Sequence, residues 1–243
     1  MSADSQRWHK AQAYERDWWQ SRAPDMDLDF YASFAQALRR EIDGLLTLGP
    51  ETRILEIGSG AAGILTYLGE SDHRHAVDPL EDFYASVERF SAFRDPAVQY
   101  YTGTGEKLDF ADDHFDLVIV DNVLDHCADP DQVLAEMHRV LKRGGVAYFR
   151  QNTYHLWGRL VRGLMEWFQI DRGHPHTFSK RYLQRHFNRL GLAVHRFERG
   201  GYLATWSKEI RSPRPLDRIK ALLCATRDRT LYILQKPPDA RHG

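Results

Sequence analysis

The stretch RILEIGSGAAGILTYL, residues 53–68, decides how this chain is read. It runs from a short apolar segment through a glycine-rich turn into what reads as a helix, which is the anatomy of a nucleotide-binding loop. Gly58, Gly60 and Gly63 match the G-x-G-x-x-G spacing of a dinucleotide fingerprint, in which glycines let the backbone approach the ligand closely. Glu56, Gly58 and Gly60 match an acid-x-G-x-G turn equally well. The loop alone leaves its ligand open, so the flanking chain has to choose.

The 243 residues suit one domain, or one domain with a modest insertion, and are long enough for a substantial core. Hydrophobic residues at 42% and charged residues at 28% describe an ordinary globular composition. The N-terminal MSADSQRWHK lacks the apolar stretch of a signal peptide, and no apolar run approaches the ~20 residues of a membrane helix, so the expected location is cytoplasmic. Cys127 and Cys224 are too few for a disulfide framework or a zinc cluster and read as reduced thiols. The net charge of -1 hides an asymmetry: residues 151–243 carry 18 Lys and Arg against 7 Asp and Glu, and the preceding residues carry 15 against 27. A basic C-terminal third beside an acidic remainder points to an anionic substrate or surface, or else to solvated faces without a partner.

Residues 5–21 read as a helix dense in aromatics, and Phe34, Leu38, Ile42 and Leu45 recur at helical spacing in a second helix ending near Gly49-Pro50. RILEI is a buried strand, followed by the glycine turn and a helix through Leu68. RHAVD is a second strand ending on Asp78, a helix follows from about Phe83 to Phe93, and VQYYTG is a third strand. FDLVIVD (115–121) is almost continuously apolar, as strands buried on both faces of a parallel sheet are. Asp129-Pro130 opens a helix with a capping side chain and proline at its first position, and Gly144-Gly145 stops it before the fifth strand, VAYFRQ. Strands alternating with helices predict an α/β doubly wound, mostly parallel Rossmann-like sheet in three layers. Beyond it come an apolar helix over 155–170, a helix capped by Ser179, and two late strands, LAVHRFER and TLYILQK, separated by an irregular basic insertion at 201–228. The last strands predict an antiparallel pair. The expected organisation is N-terminal helices over 1–50 and a nucleotide-binding domain over 51–243, with substrate-cap segments at 153–178 and 201–228.

From Arg53 to Asn152 the chain resembles the class I S-adenosylmethionine (SAM)-dependent methyltransferases with a type 11 methyltransferase domain. LEIGSGAAG resembles the family's first motif and AVDP the acid ending its second strand. GEKLDF resembles the segment after the third strand, FDLVIVDNVLDH the fourth strand with its site-facing turn, and VLAEMHRVLKRGG the next helix and turn. This ordered series, with a late hairpin in place of a separate substrate domain, favours SAM over a nicotinamide dinucleotide and implies S-adenosylhomocysteine (SAH) as product. The resemblance places Glu56, Gly58, Ser59 and Gly60 around the methionine and ribose of the cofactor, and Asp78 on the ribose hydroxyls. It places Thr104, Gly105 and Glu106 at the adenine, and Asp121 and Asn122 at the methionine end. Two departures stand out: Ala62 occupies a frequent glycine position, and Thr104 replaces an acid that would accept from the adenine amino group.

His126 is the first choice for general base, because imidazole titrates near working pH; a structural histidine is the alternative. Asp125 is its candidate partner, and His155, His174 and His176 are further candidates near the same edge. Asp121, Asp125 and Asp129 resemble a magnesium set less than a capped turn, so no metal is expected. Trp18, Trp19, Tyr154, Arg211 and Arg214 are candidate substrate contacts in the segments outside the shared core. Together these predict in-line methyl transfer to a hydroxyl of a small polar acceptor such as a sugar, nucleotide-sugar or secondary metabolite, with an anionic acceptor one of the options that the basic C-terminal third leaves open. An RNA acceptor, a lipid or quinone acceptor, and a non-catalytic SAM-binding partner are the alternatives. The pI of about 6.9 and the absence of a separate RNA-binding module weigh against nucleic acid.

Overall fold

The computed structural model describes residues 3–23, 27–167 and 176–238. Two helices, α1 (Ala3–Arg22) and α2 (Phe30–Ile42), precede the strands β1 (Arg53–Ile57) and β2 (His73–Asp78). Helices α3 (Glu81–Ser86) and α4 (Glu88–Phe93) lead to β3 (Gln99–Thr102) and β4 (Phe115–Asp121). Then follow α5 (Pro130–Val140), β5 (Leu141–Thr153), α6 (Leu156–Trp167), α7 (Lys180–Arg189), β6 (Ala193–Gly200), α8 (Tyr202–Ile210), α9 (Pro215–Leu222) and β7 (Asp228–Gln235). The seven strands form one sheet in the order β3-β2-β1-β4-β5-β7-β6. The first five strands pair in parallel, and β7 runs antiparallel between β5 and β6. Strand order reverses between β1 and β4, and open α/β sheets bind their ligands at such a point, beyond the carboxyl ends of the strands.

Side-chain alternation divides the core into two layers. Ile54, Ile119 and Tyr148 face Leu38, Leu65, Tyr84 and Phe90, while their neighbours Leu55, Val118 and Phe149 face Val133, Met137 and Phe187. Phe115 and Leu117 through Val120 are fully buried, in keeping with the unbroken apolar run of β4. At α5, Asp129 Oδ1 accepts from the Asp131 and Gln132 amides, both at 3.1 Å, and Pro130 opens the helix where a missing N–H costs nothing. Asp129→Ala is expected to cost ~1 kcal/mol, lowering the thermal midpoint by about 2–4 °C in a calorimetric scan.

Five sequence expectations change. Helix α5 ends at Val140, where Leu141 turns extended at ψ 127°, so Gly144-Gly145 falls inside β5 and does not stop the helix. The glycine turn leads not into an α-helix but into a 3-10 turn, Ile64–Tyr67, because Gly63 at φ 79° and ψ 157° breaks the helical path. The second helix ends at Ile42, not near Gly49: Asp43 leaves the helical region at ψ 136° and Gly44 takes φ 78°. The helix expected over 83–93 divides at Val87, which is extended at φ -94° and ψ 109°. The insertion 201–228 is helical rather than irregular, starting α8 after a left-handed Gly201 and α9 at Pro215. The helix expected over 155–170 is described as far as Trp167, and its remaining residues lie outside the described ones. Among the described residues no helix is long and apolar enough to cross a membrane.

Candidate functional site

A cleft of ≈ 1000 Å³ opens above the carboxyl ends of β1, β2 and β4, at the upper end of the ~300–1,000 Å³ common for ligand pockets. The glycine loop forms its floor. Gly58 has φ 72°, and a Cβ there would stand 2.5 Å from Val123 Cγ2; at Gly60, φ 62°, it would stand 2.9 Å from Tyr31 Oη. Both positions therefore exclude a side chain by backbone conformation and by space. Arg94 braces the loop by donating to the Ala61 carbonyl at 2.7 Å while its guanidinium forks onto Glu81.

Glu56 lies beneath the loop, only 2% exposed, and its carboxylate accepts from the amides of Ile64 (3.0 Å) and Leu65 (3.1 Å). It thus caps the 3-10 turn, and burial pushes its pKa up to about 8 against the effect of those two bonds. Asp78, at the end of β2, accepts from the Gly60 amide and the Leu80 amide, each at 2.9 Å. Burial, and next the charge of Glu15, raise its pKa to about 7. Each Asp78 oxygen keeps a lone pair for a ligand hydroxyl. The Ser59 hydroxyl is buried beside it with no partner among the described residues. A cradle closed to any Cβ, a paired acceptor and an unpartnered hydroxyl fit the SAM that the resemblance implies. Thr104, Gly105 and Glu106 also line the cleft, but Glu106 Oε1 already accepts from the Ala128 and Asp129 amides.

At the end of β4 the geometry departs from the sequence reading. Asp121 is bound by Arg150 of β5 through Nε at 2.6 Å and Nη2 at 2.5 Å, and Arg150 in turn lies over the Phe34 ring at 4.0 Å. Asp121 therefore serves first as the counterion of a partly buried arginine that the sequence reading did not single out. Asn122 takes φ 57° and its Oδ1 accepts from the Asn152 amide at 3.1 Å, which fixes the turn entering the cleft.

His126 lines the cleft, with Nδ1 3.4 Å from Glu15 Oε2 on α1. Trp8, Gln12, Glu15 and Trp19 recur along one helical face and all line the cleft. Gln12 ties that face down by donating to the His126 carbonyl at 3.3 Å. Glu15 was missed by the sequence reading, although this register was visible around the aromatics. Asp125 is not brought to His126 as its partner: it is buried and accepts from Gln151 Nε2 at 2.9 Å. His155 Nε2 meets the Cys224 carbonyl at 2.8 Å and His176 Nε2 the Cys127 carbonyl at 3.0 Å, and neither lines the cleft. His174 lies outside the described residues. Trp18 and Arg214 line the cleft, as does one side of Trp19, whose ring is otherwise buried in the core edge-on to Tyr84 and Phe90. Tyr154 sits under Arg162 and Arg211 donates to Ser207 Oγ, both away from the cleft lining. Among the described residues no group of three His, Cys, Asp or Glu could hold a metal ion; Asp129 caps α5 and Asp121 holds Arg150.

Comparison with known proteins bears on the domain and its fold. Residues 55–149 match the family model of a methyltransferase domain of type 11. A malonyl-[acyl-carrier protein] O-methyltransferase of Marinomonas sp. is 27% identical over 155 residues, covering 62% of this chain and 56% of that protein. A ubiquinone/menaquinone biosynthesis C-methyltransferase of Vibrio vulnificus is 32% identical over 104 residues, covering 40% of this chain and 39% of that protein. The chain thus spans less than two thirds of these curated relatives. Among solved structures, a geranyl diphosphate C-methyltransferase from Streptomyces coelicolor A3(2) superposes with a TM-score of 0.63 at 15% identity, covering 84% of this chain and 78% of the other. Residues 55–149 are thus a methyltransferase domain of this type, carried on a fold shared with the class I methyltransferases.

Proposed function

We propose that this chain transfers a methyl group from SAM to a hydroxyl of a small polar acceptor, such as a sugar, nucleotide-sugar or secondary metabolite. The observation that carries the reading is the pairing of His126 with Glu15 inside the cleft that the glycine loop and Asp78 open. Bound SAM supplies an electrophilic methyl on a sulfonium, open to in-line displacement. The chain's residues orient and deprotonate. Asp78 receives the two ribose hydroxyls, and the glycine loop fixes the depth of the cofactor. Glu15 faces His126 Nδ1, so Nε2 is the nitrogen that takes the acceptor's proton. Their 3.4 Å separation is ion-pair reach, and such contacts commonly tighten when substrate arrives. A carboxylate behind the ring stabilises the imidazolium that forms. The aromatic face of α1 roofs the cleft and excludes water.

Titration of Asp78 gives this reading a pH signature. A carboxyl with its pKa near 7 is largely protonated at pH 6, and a protonated oxygen no longer accepts from a ribose hydroxyl. The raised pKa therefore places the gain in affinity on the alkaline side. SAH is expected to bind about tenfold tighter at pH 8 than at pH 6 by proton linkage, and calorimetry in matched buffers checks it. An affinity flat across that range, or rising toward acid, would sink the assigned role of Asp78.

A lipid- or quinone-borne acceptor is the second reading, favoured by one observation. Leu156 (73% exposed), Trp157, Leu160, Leu203 (77%), Ile219 and Leu222 (72%) present a broad apolar surface on α6, α8 and α9. The helices meet there, Trp157 Nε1 donating to the Leu223 carbonyl at 2.8 Å and Trp206 Nε1 to the Ala221 carbonyl at 3.0 Å. Incubating the protein with SAM and a panel of nucleotide-sugars, sugar phosphates and detergent-dispersed quinones, and following SAH release, separates the readings. Turnover only with quinones selects the second. SAH binding without turnover on any acceptor selects a non-catalytic role.

A further inference from the structure

Beside the cleft, past Asn122, a chamber of ≈ 220 Å³ opens between the ends of β4, β5 and β7 and the start of α8. Arg150, Arg227, Arg229, Asn122, Asn152 and Thr205 line it. Three guanidiniums, two amides and a hydroxyl with no carboxylate among them form a donor-rich wall. Among the described residues Arg150 alone of the three cations makes an ion pair, to Asp121 through Nε and Nη2, which leaves its Nη1 clear of that pair. Arg227 and Arg229 make no ion pair among the described residues, and the acid between them, Asp228, is turned to Arg199.

Chain geometry explains this division. Side chains two residues apart on an extended strand share a face and the one between takes the other. Arg227, just before β7, and Arg229 on it therefore line the chamber together with exposed side chains, while the buried Asp228 faces away. Arg229 is also held in register, opposite Asn152 and Gly200, so its Cα sits on a paired strand rather than a free loop. Two exposed guanidiniums at one small space repel each other, with Asp121 offsetting the charge of Arg229 only in part, and an anion between them turns that cost into attraction. Their planar forks match phosphate oxygens in a way that a lysine pair does not. Asn122, Arg150, Thr205 and Arg227 also line the main cleft, so a group anchored in the chamber leaves the rest of its molecule lying toward His126.

We propose that this chamber binds a phosphate or diphosphate group of the methyl acceptor, held by Arg227 and Arg229 with Arg150 as a fixed third donor. The inference rests on the methyl-transfer reading above for the identity of the bound molecule as acceptor. The anchor sets the distance from anionic group to methylated hydroxyl, so it selects phosphorylated over neutral sugars.

The test is calorimetric titration of the full chain, saturated with SAH, with pyrophosphate and separately with inorganic phosphate. Pyrophosphate is expected to bind, and the double substitution R227A/R229A to weaken it at least about tenfold, since both charge-assisted forks are lost. R227K/R229K, which keeps the charge and loses the fork, is expected to fall between. SAH affinity and melting temperature measured on both variants show whether they fold. Arg218→Ala, on α9 and outside the lining, is expected to leave pyrophosphate binding unchanged. Tighter pyrophosphate than phosphate indicates a diphosphate acceptor, and equal affinities a monophosphate. Pyrophosphate that fails to bind while SAH binds, or that binds equally to wild type and R227A/R229A, overturns the chamber. So does an equal loss in Arg218→Ala, which shows general surface charge. Failure of wild type to bind SAH at all overturns the methyltransferase reading instead.

Discussion

Asp78→Ala is expected to weaken binding of SAM and SAH by about a hundredfold or more while the protein stays folded. Two ribose hydroxyls donating to one carboxylate are charge-assisted bonds, each contributing roughly 1.5–3 kcal/mol, and together they exceed the ~2.7 kcal/mol of a hundredfold change. The carboxylate does a second job, since its oxygens also accept from the Gly60 and Leu80 amides. Alanine therefore loses the ribose contacts and loosens the loop at once. Asp78→Asn separates the two effects: its amide oxygen still accepts from an amide N–H, but it carries no charge and offers only one acceptor atom. About a tenfold loss is expected for Asn, between wild type and Ala, and a pH dependence that disappears because nothing at that position titrates. Calorimetry on both variants, with NAD and NADP as controls, checks the prediction. Affinity for SAH unchanged in Asp78→Ala would remove this residue from the cofactor site.

What the sequence made legible follows physical rules that act locally. The apolar runs of β1 and β4, the Asp129-Pro130 start of α5 and the Ser179 cap of α7 are decided by near neighbours. So is the glycine loop, because a positive φ at Gly58 and Gly60 is written in the residues themselves. The insertion between β6 and β7 was less legible: α8 and α9 are short, α8 buries no residue and α9 only Ala221, so no buried stripe marks them as helices of the core. The second group of misses is long-range. Arg150 reads as an ordinary polar residue near a strand end, and only the pairing of β4 with β5 brings it to Asp121. Glu15 stands 111 residues before His126 in the chain, and only the docking of α1 over the cleft joins them. Asp125, next to His126 in sequence, was the natural candidate partner, but in the short 3-10 turn Leu124–His126 it is buried and accepts from Gln151 while His126 meets Glu15.

That separation makes the catalytic prediction specific. His126→Ala is expected to lower kcat by about 10²–10⁴-fold on a hydroxyl acceptor, the usual contribution of a positioned general base, with SAH affinity little changed. Glu15→Gln is expected to cost less, because the imidazole remains and only the charge behind it is lost. It also carries an independent marker. Glu15 is the largest charge raising the pKa of Asp78, so removing it lowers that pKa and extends tight SAH binding toward acid pH. A purely structural Glu15 would alter stability without moving that profile in this direction. Asp125→Asn, by contrast, should leave the pH profile of kcat in place, since its carboxylate faces Gln151. The decisive comparison is kcat against pH for wild type, His126→Ala and Glu15→Gln on one acceptor. A rate limb lost with His126 and displaced with Glu15 identifies the pair as base and support. If His126→Ala keeps full kcat, the acceptor needs no base from the protein. An amine or thiol would then replace the hydroxyl as the methylated group, with His126 left as the anchor that ties α1 across the cleft.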